Sequence, residues 1–343
     1  MGVNVWVICA KLFNFWYYIR MKKRLLSGIQ PSGNIHIGNY FGAIKQLVDL
    51  QDQYDSFVFI ADLHAMTTIQ NKEELSNNII NVALDYLACG LNPDKVCLFK
   101  QSDVPIVAEL AWYFNCITTM PYLERATAYK DANQKAKEIN VGLFDYPMLM
   151  SADILIYDAN IVPVGQDQKQ HVEYARDTAQ KFNNIYGQTL TIPEAFIMKE
   201  VAIVPGTDGR KMSKSYKNTI PLFGTDEEIK KSIMRIVTDS KNPSDSKDPE
   251  TCNIFALHKL FLKKSDLEIL RNKYINGGLG YKESKDMLYN EIINFIGPMR
   301  ERREIYQQDL NIVRSILKKG AEKASVIANK KMKIIRDSVG VNI

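Results

Sequence analysis

The chain lacks the unbroken run of roughly 18 apolar residues that a membrane-spanning helix requires. Its longest candidate, Val3 to Ile19, is interrupted by Lys11 and Asn14. Paired cysteines are also missing: Cys9, Cys89, Cys97, Cys116 and Cys252 are scattered, with no C-x-x-C among them. An odd, dispersed set excludes a disulfide framework and a zinc ribbon and fits a reducing cytosol. No compositional bias excludes a core either. With 46% apolar and 24% charged residues the chain is neither disordered nor collagen-like, and 343 residues leave room for two domains.

What is present is a concentrated positive charge. The net charge is +5, yet Arg300 to Asp337 alone holds eleven basic and five acidic residues, so the rest is close to neutral. Such a stretch is either a solvated helix face or a surface for a polyanion, and charge alone does not separate the two. The first twenty residues differ from the rest, with Trp6, Trp16, Tyr17 and Tyr18, two positive charges and no acid. They lack the basic start of a signal peptide and the serine and arginine content of a transit peptide. They are expected to reflect a start assigned upstream of Met21.

From Arg24 onward, short apolar runs alternate with helical patterns. Leu25–Ile29, Phe57–Ala61, Val96–Phe99 and Ile161–Val164 predict strands. Asn39–Gln53, Glu73–Cys89 and Gln168–Phe182 predict helices, the second closed by Gly90. This alternation means βαβ units and a parallel sheet. After about Pro221 only helices are predicted: Asp226–Thr238, Ile254–Leu262, Leu267–Tyr274 and a long run from Glu283. The expected class is α/β, a Rossmann-like doubly wound parallel sheet with a C-terminal helical domain.

Two segments carry chemistry. Gly28 to Asn39 follows the first strand and opens the first helix, the ligand crevice of an open α/β sheet. Helix N-termini offer N–H groups to phosphate, Gly38 permits close approach, and His36 and Asn39 are further donors. Alone, the segment is equally an ordinary Gly-rich turn with a solvent-facing histidine. The second, Lys211-Met212-Ser213-Lys214-Ser215, follows the turn Pro205–Gly209 and puts two lysines and two serines within reach of a polyphosphate. A specified pentapeptide arises by chance in roughly one in ten thousand chains of this length.

Together, His36-Ile37-Gly38-Asn39 and Lys211–Ser215 resemble the HIGH and KMSKS motifs of class I aminoacyl-tRNA synthetases. Ser27–Gly33, Tyr146-Pro147, Met150–Leu155 and Val162–Gln168 resemble the bacterial-type tryptophanyl-tRNA synthetases within that class. The likeness runs from Met21 to the end. It implies a catalytic domain over 21–207, a helical anticodon-side domain over 208–308 that begins with the KMSKS loop, and terminal helices over 309–343 that return to the catalytic domain. Residues 1–20 have no counterpart. Asn39 stands where the motif's namesake has a second histidine, and Leu26 where the family often has an aromatic residue.

Tyr146, Met150 and Asp153 share one helical face, and a carboxylate in that apolar stretch needs a partner. By itself it is as well explained by a bond to backbone or to a basic group. The resemblance implies that Asp153 accepts the indole N–H of tryptophan, with Met150, Val162 and Val164 as pocket walls and His64 lining the pocket. It assigns the substrate amino group to Tyr146 and Gln168. For ATP it implies Gln30, Pro31, Ser32, Gly38, Asn39, Gly165, Gln166, Asp167, Ile203 and Lys211, Met212, Ser213, Lys214 and Ser215. Lys211, Lys214 and His36 are the expected catalytic groups.

The implied reaction has two steps, activation of L-tryptophan by ATP and transfer to the 3′ end of tRNA(Trp). The first needs no general base, since the attacking carboxylate is already an anion. Mg²⁺ is expected to be held mainly by the ATP phosphates, with no dedicated metal site in the protein. The resemblance further implies a cytoplasmic homodimer joined through residues 92–125, where Ala111-Trp112-Tyr113-Phe114 offers apolar surface that is equally well core. Arg300, Arg302, Arg303, Lys318, Lys319, Lys330, Lys331 and Lys333 are the candidate phosphate contacts to tRNA. A tyrosyl-tRNA synthetase, a small-substrate nucleotidyltransferase and a non-catalytic RNA-binding relative are the alternatives.

Overall fold

The computed structural model describes residues 22–134, 138–165, 169–197 and 204–342. Five strands form one parallel sheet in the order β3-β2-β1-β4-β5: β1 Arg24–Ile29, β2 Asp55–Ile60, β3 Val96–Lys100, β4 Ile161–Pro163 and β5 Glu194–Phe196. The order reverses between β1 and β4, which makes the ends of those strands the natural ligand crevice.

The strands read as near-continuous apolar runs because both faces are covered. Alternate residues go to opposite faces. Leu25, Val58, Ile60, Val96 and Leu98 pack with Ile37, Ile44, Leu84 and Leu87 on one side. Leu26, Phe57, Phe59, Cys97 and Phe99 pack with Phe114, Met148 and Phe182 on the other. The first core continues without a break into the later helices through Ile229, Ile254, Leu288, Ile292 and Ile296. Cys89, Cys97, Cys116 and Cys252 are unpaired.

The predicted helices are found as Ile37–Asn39 running on through one π turn, Tyr40–Ile44, into Lys45–Leu50, and as Lys72–Ala88 and Lys169–Tyr186. Gly90, past the end of the second, has φ +106. The later helices are Asp226–Met234, Asn253–His258, Lys264–Asn276, Tyr281–Gln308 and Leu310–Val339. Asp226–Met234 stops four residues before the expected Thr238. There Lys285 Nζ donates to the carbonyls of Met234 and Ile236 at 2.9 and 2.7 Å and satisfies the helix end. The sequence pattern did not reveal β5, whose Glu194-Ala195-Phe196 has no alternation.

Four of the eight candidate phosphate contacts in the basic C-terminal stretch are bonded to the protein itself. Arg303 Nε donates to Asp85 Oδ1 at 2.8 Å, and Arg302 Nε donates to the carbonyl of Ala88 at 2.8 Å. Arg300 bonds Asp226 and the carbonyl of Gly224, and Lys331 Nζ bonds Thr189 and Asp158. These side chains seek the carbonyl end of a helix or a carboxylate, where a cation is stabilised. Lys318, Lys319, Lys330 and Lys333 are exposed.

Helix Leu310–Val339 lies along the edge strand β3. A Cβ on Gly320 would collide with the carbonyl oxygen of Leu98, and Cys97 Sγ donates to the carbonyl of Gly320 at 3.1 Å. Gly297, in helix Tyr281–Gln308, has open space where its Cβ would stand. Gly320→Ala is therefore expected to lower stability by about 1–3 kcal/mol through overpacking. Gly297→Ala should raise it by about 0.5–1 kcal/mol through helix propensity. Guanidinium unfolding of the two variants checks that the shifts have opposite signs.

Candidate active site

β1 delivers the chain to Gln30–His36, and His36 caps the helix that follows. Its Nδ1 accepts from the Asn39 amide at 3.2 Å, while Asn39 Oδ1 accepts from the His36 amide at 3.0 Å, a reciprocal capping box. A ring that accepts at Nδ1 carries its proton on Nε2. His36 is 6% exposed rather than solvent-facing, and burial, with Lys214 nearby, lowers its pKa to about 4.

The helix N–H groups expected to meet phosphate are bonded within the protein. Ile37 N donates to the Ile220 carbonyl at 3.0 Å, Gly38 N to Met212 Sδ at 3.3 Å, and Asn39 N to His36. The short first turn is stitched to the Met212–Leu222 segment, so the donors of this motif are the His36 Nε2–H and the Asn39 side-chain amide. Gly38 is required for this contact. A Cβ there would stand 3.0 Å from His36 Nδ1 and 3.1 Å from Met212 Cβ.

The second motif is held by a residue the sequence reading did not single out. Asn218 is buried; its Oδ1 accepts from Ser213 N at 2.8 Å, and its Nδ2 donates to Asp208 Oδ1 at 2.7 Å and to the Lys211 carbonyl at 3.1 Å. It fixes the loop from both ends, and Gly206 leaves the room its amide occupies. Lys214 Nζ reaches across to the carbonyls of Ser32 and Gly33 at 2.7 and 3.1 Å. Burial lowers the pKa of Lys214, against the raising influence of Asp85. Met212 is buried, whereas Lys211, Ser215 and Ser32 are exposed and Pro31 is buried. His36 and Lys214 thus meet at one crevice, next to the C-terminal end of β1.

A second cluster lies at the same edge of the sheet. Asp153, near the end of helix Val141–Ile156, is 2% exposed. His64 Nε2 bonds its Oδ2 at 2.9 Å, and Gln101 Nε2 donates to both carboxylate oxygens at 2.9 Å. Burial pushes the Asp153 pKa up, and the bonds from His64 and Gln101 pull it down. Gln101 follows β3 directly, and His64 lies on the helix after β2, Asp62–Ala65. Gln30 Nε2 donates to the His64 carbonyl at 3.4 Å and links this cluster to the first loop.

Val162 belongs to the apolar core on this face of the sheet, and Met150 and Val164, partly buried, pack against it. Tyr146 turns its ring toward His64, 6.5 Å between centroids, and its hydroxyl bonds His171 Nε2 at 3.2 Å. Burial raises the Tyr146 pKa to about 12. Gly165 is half-buried after β4. Gln166, Asp167, Gln168 and Ile203, expected at the site, lie outside the described residues. Gln101 and Asn218 carry no motif signature of their own; the one clue to Gln101 is its place at the end of a parallel strand.

Two outcomes follow from this geometry. The imidazole ¹⁵N signals of His36 should show the Nε2–H tautomer unchanged from pH 8 to pH 5.5 and titrate near 4. A midpoint close to the ordinary 6.5 would contradict the buried neutral ring. Asn218→Ala removes three bonds from the loop while leaving the Asp153 cluster intact. It should speed amide exchange at Ser213 about tenfold in hydrogen–deuterium exchange and leave the amides of Leu63 and His64 unchanged.

Comparison with known proteins gives the site its relatives. The family described as tRNA synthetases class I (W and Y) matches residues 20–297. A tryptophan–tRNA ligase of Fusobacterium nucleatum is 49% identical over 320 residues, 93% of this chain and 98% of its own. A crystal structure of tryptophanyl-tRNA synthetase from Campylobacter jejuni, complexed with ADP and tryptophan, has a TM-score of 0.89 at 48% identity, covering 92% of this chain and 99% of that one. A tyrosyl-tRNA synthetase from Archaeoglobus fulgidus, 21% identical with a TM-score of 0.63 over 82% of this chain and 90% of its own, shares the fold. With both motifs meeting at the crest of a parallel sheet, the chain belongs to the class I tRNA synthetases for tryptophan and tyrosine.

Proposed function

We infer that the protein is an ATP-dependent tryptophan–tRNA ligase. The observation that carries this reading is the buried Asp153 carboxylate, held by His64 and Gln101 beside the crevice where His36 and Lys214 meet. A buried carboxylate with apolar neighbours suits a flat apolar ring that carries one N–H donor. Phenylalanine would leave that carboxylate with an acceptor position unmatched, which is the basis of discrimination.

In the first step the tryptophan carboxylate attacks the α-phosphorus of ATP, and pyrophosphate leaves. Positioning and charge stabilisation supply the catalysis. Neutral His36 donates through Nε2–H, so its contact with phosphate is independent of pH over the neutral range. Lys214 exchanges its two backbone carbonyls for phosphate oxygens, and Lys211 approaches from the same loop. Tyr146 and Gln168 orient the amino group, while Gln30, Pro31, Ser32, Gly38, Asn39, Gly165, Gln166, Asp167, Ile203, Met212, Ser213 and Ser215 bracket the nucleotide. Among the described residues no three His, Cys, Asp or Glu side chains are grouped to hold a metal. Mg²⁺, a hard cation that takes oxygen ligands, would be held mainly by the ATP phosphates and water.

In the second step the terminal ribose of tRNA(Trp) takes the tryptophanyl group. The proposed division is a catalytic domain over 21–207, a helical anticodon-side domain over 208–308 and returning helices over 309–343, behind an extension over 1–20. Lys318, Lys319, Lys330 and Lys333 are the remaining candidates for phosphate contact. Trp112 is 66% exposed while Phe114 is core, so only part of the Ala111–Phe114 stripe serves the proposed homodimer. No helix of the described residues is long and apolar enough to cross a membrane; the proposed location is the cytoplasm.

The test is exchange of labelled pyrophosphate into ATP. Tryptophan should support it and tyrosine should not. Asp153→Ala should lower kcat/KM for tryptophan roughly 10- to 100-fold, the loss of one hydrogen bond to a charged group. Exchange with tyrosine alone would move the protein to the tyrosyl branch, and none with either would leave an RNA-binding relative.

A further inference from the structure

Gln101 does more than fill space beneath the strands. Its side chain is 1% exposed and fully engaged at both ends. Oε1 accepts from the backbone amides of Leu63 and His64 at 3.2 and 3.4 Å, which fixes which end of the amide faces the cluster. Nε2 must then point at Asp153, where it is 2.9 Å from both oxygens. Gln101 is itself held from below. Asp62 accepts from Ser102 N at 2.9 Å and from the Ser102 hydroxyl, and Lys100 Nζ lies 4.0 Å from Asp62. The ends of β2 and β3 are thereby tied together under the carboxylate.

A carboxylate offers about four acceptor positions. Among the described residues, Oδ2 of Asp153 receives both Gln101 and His64, whereas Oδ1 receives Gln101 alone. We propose that Gln101 is the positioning residue that sets amino-acid specificity: by filling the inner positions of Asp153, it leaves one acceptor, on Oδ1, for a single substrate N–H. This rests on the tryptophan reading above and names how the carboxylate is tuned. The charged and titratable groups facing Asp153 are His64 and Asp62 from the β2 side and the Tyr157 hydroxyl at the end of its own helix. None of these replaces the two contacts that Nε2 makes.

Two variants test it, with kcat/KM for tryptophan and KM for ATP measured by pyrophosphate exchange between pH 6 and 8.5. Gln101→Met removes the donor. The KM for tryptophan should rise about tenfold, with the KM for ATP within twofold. The acid limb of kcat/KM should move to higher pH, because the carboxyl then protonates more readily. Preference for tryptophan over its benzothienyl analogue, which lacks the N–H, should shrink. Gln101→Glu is isosteric and keeps the acceptor for Leu63 and His64, but sets two carboxyls face to face. At high pH they repel. On acidification they share one proton, which restores a donor to Asp153. Its kcat/KM should therefore increase on acidification, opposite in direction to Gln101→Met.

If Gln101→Met does not fold, as judged by its circular dichroism melt, the pH profile of Gln101→Glu alone decides. The proposal is overturned if both variants keep the wild-type profile and a tryptophan KM within twofold. It is equally overturned if the KM values for tryptophan and ATP rise together without a change in profile. Absence of tryptophan-dependent exchange in the wild type would instead sink the functional reading on which it rests.

Discussion

A carboxylate all but removed from water must be given donors, and much of the crest of this sheet is arranged to supply them to Asp153. The cost of burying an unpaired charge is several kcal/mol, more than a single ordinary hydrogen bond returns. The donors come from two different strand ends, His64 after β2 and Gln101 after β3. Parallel pairing fixes those ends side by side, with Ile60 opposite Lys100. Sheet register is thus part of the site: a slip of one residue at β3 would turn Gln101 to the opposite face. The β1 loop joins the same arrangement through Gln30 and the His64 carbonyl.

Lysine serves a recurring structural purpose in this molecule. Lys247 is 2% exposed, with Nζ bonded to the carbonyls of Asn242, Pro243 and Asp245. Lys285 and Lys331 also donate to backbone carbonyls. In each case an ammonium group sits on backbone carbonyl oxygens of a turn or helix end, some of which, such as those of Asn242 and Pro243, also accept a backbone N–H. Lys214 makes the same kind of contact with Ser32 and Gly33, but on an exposed loop rather than in the interior. What is a permanent plug elsewhere is exchangeable here, since two neutral acceptors hold a cation less strongly than phosphate does.

Much of the framework was legible in the sequence. Four strands, three crossover helices and the later helices fall within a few residues of their expected bounds, because their apolar periods match the faces they bury. The two motifs also meet, as their chemistry requires. Less legible was anything decided by tertiary contact. The three-residue strand β5 has no period to detect. The first-turn amides of Ile37, Gly38 and Asn39 found protein acceptors that no local pattern announces. Gln101 and Asn218 are plain amides in the sequence. Their importance comes from partners 52 residues away in one case, Asp153, and from a tight loop in the other. The basic C-terminal stretch misled in part, since an arginine seeking Asp85 and one facing solvent look alike in one dimension.

The packing of Gly320 on Leu98 has a consequence for the order in which the chain becomes a protein. β3 is an edge strand, and a bare edge is a template for pairing with other chains. The segment that shields it, Leu310–Val339, is synthesised more than two hundred residues after β3. While a ribosome is still making the intervening helices, the half-built sheet has its outermost strand open. Val96-Cys97-Leu98-Phe99, apolar throughout, is then open to neighbouring nascent chains until Leu310–Val339 is made and closes it.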